Sequence, residues 1–218
     1  MNTLKIGVLA SGRGSNFQSI VDSVESGHLN AKIVLLLTDN PGAYAIERAK
    51  KHGIEHLVMK PAEYRSRDIY YEAVARKLND RSVGLVALAG FMRVVGRPLL
   101  DAFPNKIMNI HPALLPSFPG LHGQRQACDY GVKISGCTVH FVDEGMDTGP
   151  IIIQAAVAVK DDDTEDSLSE RILKYEHKIY PEAIKLFSEG RIEVVGRKVT
   201  IKDAVAGDKG LVNPLREG

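Results

Sequence analysis

The sequence predicts an α/β protein with a doubly wound, mostly parallel sheet and antiparallel strands in its C-terminal half. Short, continuously apolar runs alternate with helical patterns along the first half, as expected for strands that are buried on both faces. Glycine-containing loops follow several of these runs. After residue 123, two β-rich runs are joined by an acidic turn, which is typical of antiparallel pairing.

In the first half, the pattern predicts five strands, over residues 6–9, 33–37, 55–59, 85–88 and 106–110. It predicts three helices between them, over residues 17–25, 44–51 and about 62–78.

In the second half, we expect strands over 133–142 and 151–159. A helix is expected to begin at the acidic residues 161–164 and to end near residue 189, with a kink or a break at Pro181. Residues 192–201 then alternate as a hairpin does. No repeat or linker divides the chain, so we expect residues 1–218 to form one domain.

Composition excludes several classes of function. The chain has 218 residues, 44% of them hydrophobic and 25% charged, which is enough for a large core. A formal net charge of +1 gives no indication of a nucleic-acid or membrane-binding surface. No apolar stretch is long enough to span a membrane, and the first residues lack the pattern of a signal peptide. Cys128 and Cys137 are too few for a disulfide framework, so we expect free thiols in the cytoplasm.

The loop SGRGSN, residues 11–16, joins the first predicted strand to the first predicted helix. Its glycines permit a tight turn, and Ser15 or Asn16 can cap the helix, whose amino end attracts anions. Phe17 occupies the position where a dinucleotide site requires a third glycine, and the lysine of a P-loop is absent. The loop therefore favours one phosphate monoester, with a simple glycine turn as the alternative.

Residues 88–95, LAGFMRVV, follow the fourth predicted strand. Gly90 permits close approach of the backbone, and Phe91, Met92 and Val95 provide apolar surface beside the cation of Arg93. Such a surface suits a flat heteroaromatic ring with an acidic tail. Core packing explains the apolar residues equally well.

Asn109 and His111 stand at the end of the fifth predicted strand, with Ile110 between them. Alternation with period two places both polar side chains on one face. Pro112 ends the regular ladder directly afterwards. Ligands bind at the carboxyl ends of strands in open α/β sheets, so the pair indicates a general acid/base and an oxyanion donor. Taken singly, each residue is also explained as structural.

Asp147 lies in the acidic turn 143–150 and can reach the same cleft. A carboxylate beside His111 would raise the pKa of the imidazole. The alternative is an aspartate that caps its own turn. His140 precedes this turn, either as a neighbour or as a core residue. No metal-binding spacing is present, so we expect no metal.

The motifs resemble those of the phosphoribosylglycinamide formyltransferase family. The matching stretches are SGRGSN at 11–16, AGFMRVV at 89–95, NIHPALLPSFPGLHG at 109–123, VHFVDEGMDTGPII at 139–152 and YEHKIYP at 175–181. The resemblance implies a Rossmann-like formyltransferase fold. It also implies transfer of a formyl group from the co-substrate 10-formyltetrahydrofolate to the amine of glycinamide ribonucleotide, in de novo purine (IMP) biosynthesis.

The resemblance also assigns residues. The catalytic residues that it implies are Asn109, His111 and Asp147. Those implied to bind the ribonucleotide are Gly14, Ser15, Asn16 and Glu176. Those implied to bind the folate are Arg67, Met92, Arg93, Val94, Val95 and Asn109. It thereby divides the domain into a phosphate-binding half (1–104), a folate-binding and catalytic half (105–190), and a C-terminal hairpin and tail (191–218).

Related functions are weighed against this one. Formyltetrahydrofolate deformylase carries an additional amino-terminal regulatory domain, and methionyl-tRNA formyltransferase an additional basic RNA-binding domain. Here the first strand begins near residue 4 and the tail is short, so neither addition is expected. A non-catalytic folate-binding module would require a broken catalytic trio, and Phe17 disfavours a nicotinamide enzyme. The expected partners are small molecules, without nucleic acid or membrane. Oligomeric state is not given by the sequence, so a homodimer is one option.

Overall fold

A computed structural model of the protein describes residues 3–204, Leu211 and Asn213. Within that part of the chain, seven strands form one sheet in the order β3–β2–β1–β4–β5–β6–β7, and two more form a hairpin. The strands are β1 (Leu4–Leu9), β2 (Ala31–Thr38), β3 (His56–Val58), β4 (Leu85–Leu88), β5 (Ile107–His111), β6 (Ile134–Phe141), β7 (Ile151–Ala158), β8 (Ile192–Val195) and β9 (Lys198–Ile201). The helices are α1 (Ser15–Glu25), α2 (Ala45–Lys51), α3 (Arg67–Asn79), α4 (Arg97–Ala102), α5 (Gly123–Tyr130) and α6 (Glu165–Ser188).

The sheet is doubly wound, which confirms the predicted fold class. Strands β1 to β5 pair in parallel, whereas β6 pairs antiparallel with both β5 and β7. The winding direction reverses between β1 and β4, where Leu9 pairs with Leu88, and Leu88 in turn pairs with Asn109. The polar loops that follow β1 and β4 therefore leave the sheet beside Asn109, at the topological switch point where such sheets bind ligands.

The core consists of two apolar layers, one on each face of the sheet. Helices α1, α2, α5 and α6 contribute to one layer, and α3 and α4 to the other. Strand β4 shows why its sequence is continuously apolar: Leu85 and Ala87 face the first layer, and Val86 and Leu88 the second. No helix among the described residues is both long and apolar enough to cross a membrane.

The helix predicted over 62–78 is wrong in its first part. A short 3₁₀ helix, Pro61–Glu63, is followed by extended residues, and α3 begins only at Arg67. The cause is Ser66, whose hydroxyl oxygen accepts a hydrogen bond from the amide of Ile69 at 3.2 Å and so caps the helix. Sequence analysis also missed α4 and α5, which have six and eight residues. Helices this short have a weak periodicity, although α2, with seven residues, is predicted.

Pro181 does not break α6, so the break that was one of the two expected outcomes is absent. The helix runs through it for 24 residues and begins at the predicted acidic segment with a capping box between Thr164 and Ser167. The turn that contains Pro181 is fixed to the sheet by Tyr180, a fully buried residue. The Tyr180 hydroxyl lies 3.0 Å from the carbonyl oxygen of Leu88 and 2.9 Å from that of Met108. Packing thus compensates for the hydrogen bond that proline removes.

The predicted hairpin is confirmed as β8 and β9, which pair antiparallel. Of the tail that follows residue 204, all but Leu211 and Asn213 lies outside the described residues. Asn213 donates hydrogen bonds from its amide to the carbonyl oxygens of Lys133 (2.7 Å) and Val159 (2.8 Å).

Candidate active site

Asp147 is the centre of a cluster that joins the turn 143–150 to the end of β5. One carboxylate oxygen, Oδ2, lies 3.4 Å from Nδ1 of His111 and accepts a hydrogen bond of 2.8 Å from the amide of Gly120. The other, Oδ1, lies 3.4 Å from Nδ2 of Asn109 and 3.6 Å from Nε2 of His140. The structure therefore brings Asn109, His111 and Asp147 together.

His111 has a defined tautomer. Its Nε2 lies 2.8 Å from the carbonyl oxygen of Phe118, which can only accept, so Nε2 carries a proton. In the neutral imidazole, Nδ1 then presents a lone pair to the carboxylate of Asp147. Nδ1 and the carboxylate oxygen are then both acceptors, so their contact is favourable only when a proton lies between them. The imidazolium or an N–H group of a ligand can supply that proton.

Asp147 acts to raise the pKa of His111, as expected, but the net shift is downward. Burial lowers the pKa below the usual value of 6.5, and this effect outweighs the opposing effects of Asp147 and of the Phe118 carbonyl. The side chain is only 4% exposed, so the charged form loses most of its hydration. The neutral imidazole is therefore favoured near pH 7, and protonated His111 is a stronger acid than an imidazolium in water.

Asp147 remains ionised despite its own burial. Burial alone would raise its pKa, but the nearby ring of His140, the hydrogen bond from the Gly120 amide and the nearby His111 hold the pKa below its usual value. Its backbone has a φ of 55°, in the left-handed region that aspartate and asparagine tolerate better than most residues. The turn itself is fixed by Asp143, which accepts hydrogen bonds from the amide of Gly145 (3.1 Å) and the hydroxyl of Thr148 (2.6 Å).

The loop 11–16 holds the amino end of α1 open. Gly14 is the N-cap residue, with a φ of 66°, and no side chain caps the helix, so the expected capping by Ser15 or Asn16 is wrong. The first N–H groups of a helix have no partner within it. A Cβ atom on Gly14 would lie 2.8 Å from the Cβ of Ala45, so only glycine fits this turn. An uncapped helix end of this kind is suited to an anion.

Asn16 links this loop to α6. Its Nδ2 donates a hydrogen bond of 2.7 Å to Oε2 of Glu176, while its Oδ1 is buried and finds no hydrogen-bond partner among the described residues. Burial raises the pKa of Glu176, against the opposing effect of this hydrogen bond. The hydrogen bond from Asn16 thus fixes the buried carboxyl group of Glu176 beside the loop 11–16.

Four of the residues predicted to bind folate line one cavity of about 430 Å³. They are Arg67, Met92, Arg93 and Val94, together with three tyrosines, Tyr64, Tyr70 and Tyr71. Val95 is buried behind this surface, and Asn109 belongs to the cluster around Asp147. The cavity combines aromatic and apolar walls with two cations, as expected for a flat ring with an acidic tail.

The two cations of this cavity are held differently. Nε of Arg93 donates to Oδ2 of Asp39 at 2.5 Å, so its charge is already paired. Nη2 of Arg67 donates to the carbonyl oxygens of Val94 (2.9 Å) and Val95 (3.1 Å), which are neutral acceptors. Arg67 therefore retains its charge for an anionic ligand, although its local sequence resembles an ordinary surface position.

Sequence analysis left His140 undecided, and it missed Gly120 and Phe118. Residue patterns do not give the register of an antiparallel pair, which here sets His140 opposite Asn109. The contributions of Gly120 and Phe118 are backbone groups, which no side-chain motif reveals. Among the described residues, no group of three or more His, Cys, Asp or Glu side chains is arranged to hold a metal ion.

An α/β sheet with polar loops gathered at its switch point, around a histidine and a carboxylate, defines a ligand-binding enzyme of the doubly wound class. The sequence matches the formyl transferase family over residues 4–184. The chain belongs to this family. The phosphoribosylglycinamide formyltransferase of Bacillus subtilis is 46% identical over 181 residues, which are 83% of this chain and 93% of that protein.

Three further similarities bear on the fold and on the extent of the match. Glycinamide ribonucleotide transformylase 1 from Symbiobacterium toebii has a crystal structure that superimposes with a TM-score of 0.91, at 52% identity, over 92% of this chain and 95% of that one. The trifunctional purine biosynthetic protein adenosine-3 of Drosophila melanogaster is 45% identical over 188 residues, which are 85% of this chain and 14% of that protein. A formyltetrahydrofolate deformylase from Pseudomonas syringae pv. tomato shares the fold (TM-score 0.86) at 23% identity.

Proposed function

We propose that the protein transfers the formyl group of 10-formyltetrahydrofolate to the amine of glycinamide ribonucleotide, as in de novo purine biosynthesis. The observation that carries the proposal is the cluster in which Asp147 meets Asn109 and His111 at the end of β5. The similarity to the formyltransferases named above supports the same activity.

The phosphate of the ribonucleotide is proposed to bind at the amino end of α1, on Gly14, Ser15 and Asn16. The open helix end supports this placement, because backbone N–H groups and the helix dipole both favour an anion there. Glu176, which Asn16 holds beside the loop, is then placed to accept hydrogen bonds from the ribose hydroxyls. Binding energy from the phosphate end orients the distant amine.

The folate is proposed to lie against the loop that follows β4, on Met92 to Val95. The aromatic cavity beside this loop supports the placement. Arg67 is the cation proposed to meet the acidic tail, because Arg93 is already paired with Asp39. Leu88 and Asn109 are neighbours across β4 and β5, so a ligand on this loop can extend to the Asp147 cluster.

In the proposed reaction, the amine forms a bond to the formyl carbon, and the bond from that carbon to the folate nitrogen breaks. The Nδ1 lone pair of neutral His111 can accept the proton that the attacking amine loses, and Asp147 stabilises the resulting imidazolium. The imidazolium then returns the proton to the leaving nitrogen, so the protein is unchanged at the end. The amide of Asn109 is the donor proposed for the developing oxyanion.

This scheme needs no covalent enzyme intermediate. The two cysteines are free thiols, and burial raises the pKa of Cys137 to about 12, so its thiolate is not accessible near neutral pH. Free thiols also agree with the cytoplasm as the proposed location. We propose that residues 1–218 act as one domain, since seven strands share a sheet, and that a homodimer is compatible with the reaction.

A spectrophotometric assay of formyl-folate consumption, with and without glycinamide ribonucleotide, tests the proposal. We expect consumption only when the ribonucleotide is present, with the formylated ribonucleotide and tetrahydrofolate as products. Equal consumption without the ribonucleotide would mean that water is the acceptor, and the deformylase activity would replace the proposed one. No consumption under either condition would indicate a binding module or a different donor.

A further inference from the structure

Arg48 is a cation that α2 brings to the loop 11–16. Its Nε donates a hydrogen bond of 3.0 Å to the carbonyl oxygen of Arg13, and its Nη1 donates one of 3.0 Å to Oε1 of Gln18. The guanidinium also lies over the ring of Tyr44, with its central carbon 5.1 Å from the ring centre. Arg48 and Ser15 line the same open groove, of about 690 Å³, beside α1.

The side chain of Gln18 is fixed in one orientation. Its oxygen faces Arg48, which has only donors, and its Nε2 lies 2.8 Å from the acceptor Oδ1 of Asp22. The same Nε2 lies 3.0 Å from Nε2 of His52, whose Nδ1 lies 2.6 Å from Glu25. If the amide were flipped, its NH2 group would face the donors of Arg48 and its oxygen would face the carboxylate oxygen of Asp22. Arg48 is thus held from behind by a network that connects α1 with the end of α2.

This support has a direct effect on the loop. The carbonyl of Arg13 is held by Arg48, and the next residue, Gly14, is the N-cap whose left-handed backbone turns the N–H groups of α1 outwards. The loop also rests on α2 through the amide of Ala45, which donates to the carbonyl oxygen of Gly12 at 3.1 Å. The orientation of the anion-binding N–H groups therefore depends on contacts made by α2.

Charge gives Arg48 a second effect. Nη2 of Arg48 makes no hydrogen bond among the described residues, and the acids of the supporting network are engaged elsewhere: Asp22 with Gln18, and Glu25 with His52. A phosphate dianion at the end of α1 would therefore meet an unneutralised guanidinium on the adjacent helix. Arginine suits this position because its planar group can hold a carbonyl and still present charge to a phosphate.

We propose that Arg48 determines the preference of this enzyme for a phosphorylated acceptor, by positioning the loop 12–14 and by supplying positive charge to the phosphate. This inference rests on the proposed function. It assigns Arg48 as a positioning and specificity-determining residue, and it leaves the chemistry to the Asp147 cluster.

The test compares two acceptors, glycinamide ribonucleotide and the riboside that lacks the phosphate, in wild type and in Arg48→Met. Loss of charge-assisted hydrogen bonds of this kind typically corresponds to a roughly 10- to 100-fold effect. We expect kcat/KM for the ribonucleotide to fall by that factor through KM, with kcat within about threefold. For the riboside, kcat/KM should stay unchanged. Arg48→Lys should recover part of the affinity, because it restores charge without the planar group.

Lys50→Met is the matched control. Lys50 lies on the same helix, pairs with the exposed Glu47, and is remote from the loop 11–16 in its contacts. The Lys50→Met variant should have the same kcat and KM as wild type for both the ribonucleotide and the riboside. Equal losses for both acceptors in Arg48→Met, or no loss at all, would overturn the proposal. So would Arg48→Lys behaving like Arg48→Met.

Calorimetric titration of the ribonucleotide without folate separates this proposal from the proposed function. The chain contains no tryptophan, so heat is a more suitable signal than intrinsic tryptophan fluorescence. Binding to wild type that weakens in Arg48→Met would support the role of Arg48, even if no formyl transfer were observed. Equal binding by both proteins would overturn it, even if wild type were an active transferase.

Discussion

The reaction end and the phosphate end of the site differ in how their polar groups are satisfied. Around Asp147, both carboxylate oxygens lie near donors or ring nitrogens of the protein, from Gly120, Asn109, His111 and His140. At the end of α1, no side chain caps the helix, and Oδ1 of Asn16 is buried without a partner among the described residues. One end is arranged by the protein itself, whereas the other is completed by what binds there.

This difference predicts how the two ends respond to mutation. Groups that are prearranged around the reacting atoms act mainly on the transition state, so their loss lowers kcat. Groups that await a ligand contribute mainly to its binding, so their loss raises KM. A mutation at the reaction end that mainly raised KM, or one at the phosphate end that mainly lowered kcat, would contradict this comparison.

Asp147→Asn should have the largest effect. The asparagine keeps the shape and tolerates the left-handed backbone, but it removes the charge that stabilises protonated His111. We expect kcat to fall by about 10²- to 10⁴-fold, the usual contribution of positioned acid/base groups. The KM values should change little, and thermal unfolding should confirm an intact fold.

Asp143→Asn is the control within the same turn. Its carboxylate binds only groups of the turn itself, the amide of Gly145 and the hydroxyl of Thr148. We expect less than about a fivefold change in kcat, since no acid/base group of the cluster is altered. Near-normal turnover by Asp147→Asn would show that the cluster is structural, and equal losses in both variants would show that the turn's conformation matters rather than the charge.

Gly14→Ala should act at the other end. Its Cβ would meet Ala45 at 2.8 Å, and a left-handed backbone costs an alanine about 1–2 kcal/mol. We expect a loss of about 1–3 kcal/mol in the free energy of unfolding and a weaker affinity for the ribonucleotide, with kcat nearly unchanged. Denaturant unfolding and steady-state kinetics measure these two effects.

Gly53→Ala provides the comparison. Gly53 also has a positive φ, of 63°, but nothing lies within 4 Å of the added Cβ. It should show only the backbone part of the loss in stability, with normal kinetics. If Gly14→Ala lowered kcat and left the KM for the ribonucleotide unchanged, the assignment of the two ends would be wrong.

His111→Asn tests the electrostatics of the reaction end through stability. Burial lowers the pKa of His111 in the folded state, whereas the unfolded chain titrates near 6.5. As the pH falls below 6.5, the unfolded state binds this proton first, so wild type loses stability. The variant lacks this loss, while Glu176 and His177 titrate in both proteins.

The melting temperature of wild type relative to His111→Asn should therefore decrease from pH 7.5 to pH 5. The lowered pKa of Asp147 acts in a separate window, below its usual value of 3.8. A relative melting temperature that increases with acid would mean that the carboxylate outweighs burial. That outcome would restore the rise in the pKa of His111 that the sequence predicts.

Much of the fold follows from the sequence because its signals are local. The run at Leu85–Leu88 is buried on both faces, so its apolar pattern is continuous and gives its bounds. Two predictions about helices failed for different reasons. Pro181 is tolerated because Tyr180, the residue before it, is anchored to β4 and β5, which are distant in sequence. Helix α3 starts late because of a local signal, the cap at Ser66, that the apolar pattern does not contain.

In the candidate site, too, some residues are predicted from the local sequence, whereas the roles of others depend on tertiary contacts. Asn109 and His111 are found from alternation along one strand, since both lie within five residues of chain. The position of His140 requires the register of β5 and β6, and the role of Arg48 requires the packing of α2 against the loop 11–16. The direction of the pKa shift of His111 depends on its degree of burial, which no motif contains.

Ser15→Ala should have the smallest effect and the most specific one. Its hydroxyl, on the first residue of α1, is proposed to donate a single hydrogen bond to the phosphate, and such a bond contributes about 0.5–1.5 kcal/mol. We therefore expect the KM for the ribonucleotide to rise by roughly 2- to 10-fold, with kcat and the KM for the folate unchanged. Ser19→Ala, one turn further along, removes a hydroxyl that already donates to the carbonyl oxygen of Asn16 at 2.8 Å, and it should have no such effect. A rise in the KM for the folate instead would mean that the two ligands occupy opposite ends from those proposed. The difference between the two ends of the site would then still hold, but the folate would bind at the end of α1 and the ribonucleotide at the other end.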